Sequence, residues 1–210
     1  MLKIIHYQNE DVDKQFEASI SKYYDEVREL LPKLPETIQI YFSDYGILPE
    51  TGVGGFAYAP DIITISIDPD FTDKKKQQRD IRPTIFHESF HIHQGFTGQG
   101  GLFTAVENAI YEGMATVFER EYCDIWQQYG DYRETAEADL SQWLKELQKL
   151  SIKEFDDNYS DWKFYHPTLK EKWIVYRVGT WLVDEVLSKH PLSIMDLSAK
   201  TAAEVLDLNS

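Results

Sequence analysis

The sequence predicts an α+β domain with a small N-terminal β-sheet, a central helix bearing a histidine cluster, and a mostly helical C-terminal part. Two observations lead there. Strand-like stretches, rich in β-branched and aromatic residues, all fall before residue 68, whereas apolar residues at helical spacing dominate after residue 74. The chain has 210 residues, 42% of them hydrophobic, which is enough for one sizeable core, so residues 1–210 are read as a single domain.

From Asp11 to Leu31 apolar residues recur at helical intervals (Val12, Phe16, Ile20, Tyr23, Tyr24, Val27, Leu30, Leu31), and Pro32 and Pro35 close the segment. "TIQIYFS" reads as a strand. "GGFAYAPDIITISID" reads as two more, turning at Pro60-Asp61. Gly52, Gly54 and Gly55 mark a tight turn or a place of close backbone approach. "TDKKKQQRDIRPTIFHESFHIHQ" is helical in character, and Pro83 fits only a first turn or a kink. "GFTGQGG" reads as a flexible connection, followed by a long helix over about 103–129 and an amphipathic one over about 133–150. Residues 151–168 read as an ordered loop. A helix apolar over nearly its whole circumference follows from Leu169 to Leu187, and a short helical tail ends the chain.

Composition narrows the partners. A formal net charge of -15 opposes attraction to phosphate backbones and anionic membrane surfaces, so nucleic acid and membrane are not expected. The acidity is read first as a solubility device. A single cysteine, Cys123, and an N-terminus without an apolar leader stretch point to a reducing, cytoplasmic location. No apolar run is long enough to span a bilayer.

The chemistry concentrates in "TIFHESFHIHQ", residues 84–94. His87-Glu88-Ser89-Phe90-His91 fits H-E-x-x-H, in which two histidines one helical turn apart chelate Zn²⁺ and the glutamate activates a water. At about 100° per residue, His91 lies about 40° from His87, so both imidazoles can reach one ion. Glu88 lies near the ion yet remains free to take a proton. His93 lies about 160° from His91, among Phe86 and Phe90, and is read as a core histidine.

A catalytic zinc needs a third protein ligand. The metzincin continuation is absent, because Gln94 and Thr97 stand where it needs glycine and histidine. Cys123 is read as a small core residue. "TAVENAIYEGMATVFERE" offers glutamates instead. Ala105, Ala109, Gly113 and Thr116 form a stripe of small residues suited to close helix approach, and Glu112 borders it. If that stripe packs on the histidine helix, Glu112 reaches the ion; Glu107, about 140° away, is the alternative. Glu119 shares the Glu112 face and could orient an imidazole N–H.

"HESFH" followed about twenty residues later by "YEGMAT" resembles the gluzincin metallopeptidases, whose third zinc ligand is a glutamate on the following helix. It is similar, more narrowly, to a bacterial domain family of unknown function predicted to be zinc-dependent proteases. "GVGGFAYAPDIITISID", the E-G-x-A pattern of Glu112 to Ala115, and "YRVGTWLVDEVL" extend the likeness over about residues 37–205. The resemblance implies a zincin-like fold, His87, His91 and Glu112 as zinc ligands, and Glu88 as the catalytic residue. One departure is Val175 before Tyr176, where the family tends to carry glycine before tyrosine.

The function expected is hydrolysis of a peptide or protein substrate by a metal-activated water, with Glu88 as general base. An oxyanion donor is still required. Tyr176, a hydroxyl in an otherwise apolar helix, is the first candidate and His166 the second. The hairpin from Gly55 to Ile67 is the expected edge on which a substrate strand adds. Two alternatives stay open: a non-catalytic zinc-stabilised binding or regulatory domain, and a zinc hydrolase of a non-peptide amide or ester.

Overall fold

The computed structural model describes residues 2–6 and 10–209, with backbone alone for 10–15. They fall into two compact units, Met1–Gly100 and Gly101–Ser210. Val12 of the first expected helix face lies outside the described side chains. The architecture is α+β, with a small mixed sheet and mostly helical content.

In the first unit the chain runs β1 (Lys3–Ile5), α1 (Glu10–Leu30), β2 (Gln39–Ser43), β3 (Val53–Ala59), β4 (Ile62–Ile67) and α2 (Lys74–Gln94). Phe16, Ile20, Tyr24 and Val27, spaced by three or four, put one face of α1 in the core, and Leu31 just past its end continues that face. The sheet order is β1-β2-β4-β3, with β1, β2 and β4 parallel and β3 antiparallel at the edge. Strand β1 escapes the sequence reading because three residues are too few for a period. In β2, Ile40 and Phe42 are buried while their neighbours are partly exposed, the alternation of a sheet covered on one face. Ile63 and Ile65 of β4 and Ile81, Ile85 and Phe86 of α2 are also fully enclosed. Each such side chain contributes about 1.5–3 kcal/mol relative to exposure.

Helix α2 packs on α1 and β3. Asp73 caps its start by accepting from the Lys76 N–H at 3.0 Å. Gly95 ends it at φ 76°, a left-handed turn that favours glycine. Pro83 sits well inside this helix, not in its first turn. The Arg79 carbonyl therefore loses its helical donor, while the Thr84 hydroxyl donates to the Asp80 carbonyl beside it at 2.8 Å. Buried Gln77 donates to the Gly52 and Asp68 carbonyls at 2.9 and 2.7 Å, anchoring both ends of the β3–β4 hairpin to α2.

The second unit comprises α3 (Ala105–Cys123), α4 (Glu137–Lys149), α5 (Ile152–Asp157), α6 (Tyr159–Lys163), β5 (Tyr165–His166), β6 (Glu171–Lys172), α7 (Ile174–Lys189), α8 (Ile194–Leu197) and α9 (Ala202–Asp207). Helix α3 stops at Cys123 rather than near 129, because Asp124 turns left-handed at φ 53°. Residues 151–168, expected as a loop, contain α5, α6 and β5. A capping box between Ser151 and Glu154 starts the first of them.

The small-residue stripe of α3 packs on α7. A Cβ on Gly113 would lie 2.2 Å from the Gly179 carbonyl carbon, and one on Gly179 1.8 Å from the Ala109 carbonyl oxygen. The sequence left the occupant of this stripe conditional, and at Ala109 and Gly113 it is α7. The two glycines bring the α3 and α7 backbones into direct contact, which any side chain would prevent. Arg120 of α3 and Asp184 of α7 add a two-pronged ion pair at 2.8 and 2.6 Å, joined by the Tyr132 hydroxyl at 2.8 Å.

Candidate metal centre

His87 and His91 project from one face of α2, one turn apart and both buried. Their Nε2 atoms lie 3.0 Å apart and their rings meet edge to face. Two nitrogens each 2.0–2.1 Å from a tetrahedral zinc would lie about 3.3 Å apart, so the pair is already near a chelating separation. Phe96 covers His91, with ring centroids 4.8 Å apart.

Glu88 is buried as well. Its Oε2 accepts the Ala57 backbone N–H at 2.7 Å, so β3 fixes the carboxylate from outside α2. Gly55, two residues earlier on the same strand, makes the seat possible. A Cβ there would lie 2.7 Å from Glu88 Cγ and 2.6 Å from Thr84 Cγ2. Gly54 and Gly55, which the sequence marks for a tight turn or close backbone approach, both lie in β3 and serve close approach. Gly54 faces the Gly46 carbonyl, 2.0 Å from where its Cβ would be.

His93 is buried with its ring centroid 6.3 Å from that of Phe90. Burial, and then nearby Lys33, push its pKa below the ordinary histidine value, as suits a core imidazole.

Strand β3 is the sheet edge, as expected of a substrate-binding strand, but part of that edge is taken. The Ala57 and Tyr58 carbonyls accept the Gly98 and Gln99 N–H groups at 2.9 and 3.0 Å. The glycine-rich connection therefore lies along β3 where a free chain would otherwise add.

In the second unit, Glu112 is buried on α3 and receives the ammonium of Lys163. Lys163 also donates to the Tyr159 hydroxyl and lies 5.3 Å from the centre of the Tyr176 ring. Burial disfavours the charged lysine, yet Glu112, followed by Tyr159 and Tyr176, holds its pKa well above the usual lysine range. Tyr176 belongs to the first turn of α7, not mid-helix as the apolar pattern suggested, and is half-buried against Tyr129. Trp173, just before α7, adopts φ 63°, an uncommon conformation for a bulky residue, and its ring packs on Phe164 and Tyr176.

The alternatives have other employment. Glu107 closes a capping box with Thr104, accepting its N–H at 2.8 Å and its hydroxyl at 2.9 Å. Glu119 is fully buried and accepts the Tyr129 hydroxyl, 2.7 Å from both carboxylate oxygens. His166 receives the Leu169 N–H on Nδ1 at 3.1 Å within the β5–β6 turn. Cys123 is half-buried at the end of α3. Lys163 carries no motif that would single it out in the sequence. The only available signal was a cation inside the aromatic run "YSDWKFYH".

His87, His91 and Glu112 supply two imidazole nitrogens and one carboxylate oxygen, donors of the kind that hold a metal ion. Among the described residues no helix is long and apolar enough to cross a membrane.

Compared with known proteins, 36% of the chain is similar, at 36% identity over 87 residues, to the cytoplasmic dynein 2 heavy chain 1 of Caenorhabditis elegans. The chain spans 2% of that protein's length. No solved structure matches. Residues 16–207 match the family described as "Predicted Zn-dependent protease (DUF2268)", and the chain belongs to that family.

Proposed function

We propose that the protein is a zinc-dependent peptidase of the gluzincin kind on a zincin-like fold, one domain over residues 1–210, in which His87, His91 and Glu112 hold the metal. The observation that carries the reading is Glu88. It follows His87 directly on α2, beside two imidazoles near a chelating separation, yet it is fastened by the Ala57 N–H in a position of its own. A structural zinc closes its four positions with protein ligands and has no use for such a carboxylate. The family description supports a zinc-dependent protease at the coarser level.

Zinc bound there would lower the pKa of a water and polarise the scissile carbonyl. Glu88 takes the proton of the attacking water and delivers it to the leaving amine. The Ala57 N–H holds the carboxylate by Oε2 while it does so. Tyr176 donates its hydroxyl to the developing oxyanion, a contribution of a few kcal/mol where such donors are pre-aimed. Burial of both histidines and of Glu88 limits the water that competes for these groups. The substrate is a peptide or protein, and the enzyme acts in the cytoplasm.

Metal analysis and a peptide-pool cleavage assay test this together. The wild type holds about one zinc per chain and cleaves. Glu88→Gln keeps the zinc and loses cleavage, whereas His87→Ala and Glu112→Ala lose the zinc. A wild type that binds no zinc after gentle purification and supplementation would overturn the metal centre. Equal background cleavage in wild type and Glu88→Gln would favour a zinc-stabilised binding domain instead.

A further inference from the structure

Lys163 ends α6 with 4% of its surface exposed, and no other lysine or arginine among the described residues is buried. Taking an ammonium out of water is costly unless it meets an excellent partner. The chain offers 36 acidic side chains, and this lysine is spent on Glu112. The rings of Tyr159 and Tyr176 wall the ammonium in at 4.6 and 5.3 Å from their centres. Tyr159 also offers its hydroxyl oxygen as acceptor.

We propose that Lys163 is a positioning residue for Glu112: its ammonium grips Oε1 and fixes the orientation in which the carboxylate meets the metal. The inference rests on Glu112 being a zinc ligand. An untethered carboxylate can swing, or can chelate through both oxygens and fill the coordination position that water needs. A donor fixed on one oxygen removes both options. The ligand set then stays at two imidazoles and one oxygen, which leaves a fourth position open. Hydrogen bonds that orient a ligating side chain typically change metal affinity 10- to 100-fold.

Charge and positioning predict opposite signs. Removing a cation beside a bound dication would tighten binding by Coulomb's law alone. Removing an orienting donor loosens it.

The test measures zinc affinity by competition with a chromophoric chelator in wild type, Lys163→Met, Glu112→Gln and the double variant. Visible spectra of the cobalt-loaded proteins and urea unfolding of the metal-free proteins accompany it. Lys163→Met is expected to fold, to bind zinc about 10- to 100-fold more weakly, and to lose visible cobalt absorption as a freed Glu112 raises the coordination number. In the Glu112→Gln background the same substitution is expected to change zinc affinity by less than about threefold, because independent sites add and coupled ones do not. Zinc binding in Lys163→Met as tight as wild type, or tighter, overturns the proposal. So does an equal loss in both backgrounds, which would mean action through the fold. Should Lys163→Met fail to fold, Lys163→Gln replaces it. Its amide stops one bond short of the ammonium position, so the same losses are expected and the same results overturn it. A wild type without zinc removes the metal centre and this proposal together, whereas normal zinc binding in Lys163→Met removes the proposal alone.

Discussion

Gly55→Ala tests the seat of Glu88 without touching a ligand. The new methyl would lie 2.7 Å from Glu88 Cγ, 2.9 Å from its Oε1 and 2.6 Å from Thr84 Cγ2. Ordinary contact begins at 3.4 Å, so the glutamate arm has to move by about 0.7 Å. A shift of that size stretches the 2.7 Å bond from the Ala57 N–H beyond good hydrogen-bond range. Misplacing a catalytic group by about 1 Å can cost roughly 10²-fold in rate. Overpacking at a close contact costs about 1–3 kcal/mol of stability. The expected result is therefore a folded protein with its zinc retained, turnover of a quenched peptide pool down roughly 10²-fold, and a lowered urea midpoint. The stability loss should shrink by about 0.5 kcal/mol or more in a Glu88→Ala background, where only Thr84 remains in the way. Turnover within about threefold of wild type would refute the claim that Glu88 works from this position, since the displacement is too large to leave a poised base unaffected. An undiminished stability loss in the Glu88→Ala background would show that Thr84 alone bears the strain.

Gly179→Ala places a methyl 1.8 Å from the Ala109 carbonyl oxygen, a backbone atom that cannot rotate away, so a loss of about 3 kcal/mol or more is expected in chemical denaturation. Glu107→Ala removes one arm of the α3 capping box and should cost about 0.5–2 kcal/mol while leaving zinc content unchanged; loss of zinc would return Glu107 to the ligand set. Arg120→Met breaks the paired bonds to Asp184, both side chains being largely enclosed, and should cost about 1.5–3 kcal/mol by the same denaturation measurement. Free zinc at 1,000 times its dissociation constant should raise stability by about 4 kcal/mol, and a chelator should reverse that shift in a thermal melt.

How far the sequence is legible follows from what each level of structure depends on. The pair His87 and His91 is readable because helical geometry alone sets their separation, and α2 keeps that geometry through Pro83. The face of α1 is readable for the same reason, since every core position lies within one helix period of the next. Glu112 is a different case. Its wheel position beside the small stripe singles it out only on the condition that the histidine helix packs there. Gly113 meets Gly179 of α7, and the resemblance to zinc peptidases is the stronger support for Glu112 as a ligand. A stripe of small residues specifies close packing without naming the partner, because the contact is backbone to backbone and carries no side-chain code. Short elements such as β1, α5 and α6 are below the length at which a period can be seen, and their ends depend on individual caps such as Ser151 with Glu154.

Gly55 and Lys163 define the harder limit. The sequence marks Gly55 without naming what approaches it and does not mark Lys163 at all, and each acts by fixing a carboxylate of the site: one by lacking a side chain, the other by supplying a charge from 51 residues away. A motif lists the groups that react, whereas precision of placement comes from whatever the fold sets against them. If zinc chemistry here depends on Glu88 and Glu112 each being held in place by its neighbour, then Gly55→Ala and Lys163→Met should fail in opposite ways. The first should keep the metal and lose the base, and the second should loosen the metal while the Glu88 seat on β3 stays as it is. Observing the same failure in both variants would mean that the two carboxylates are not positioned independently.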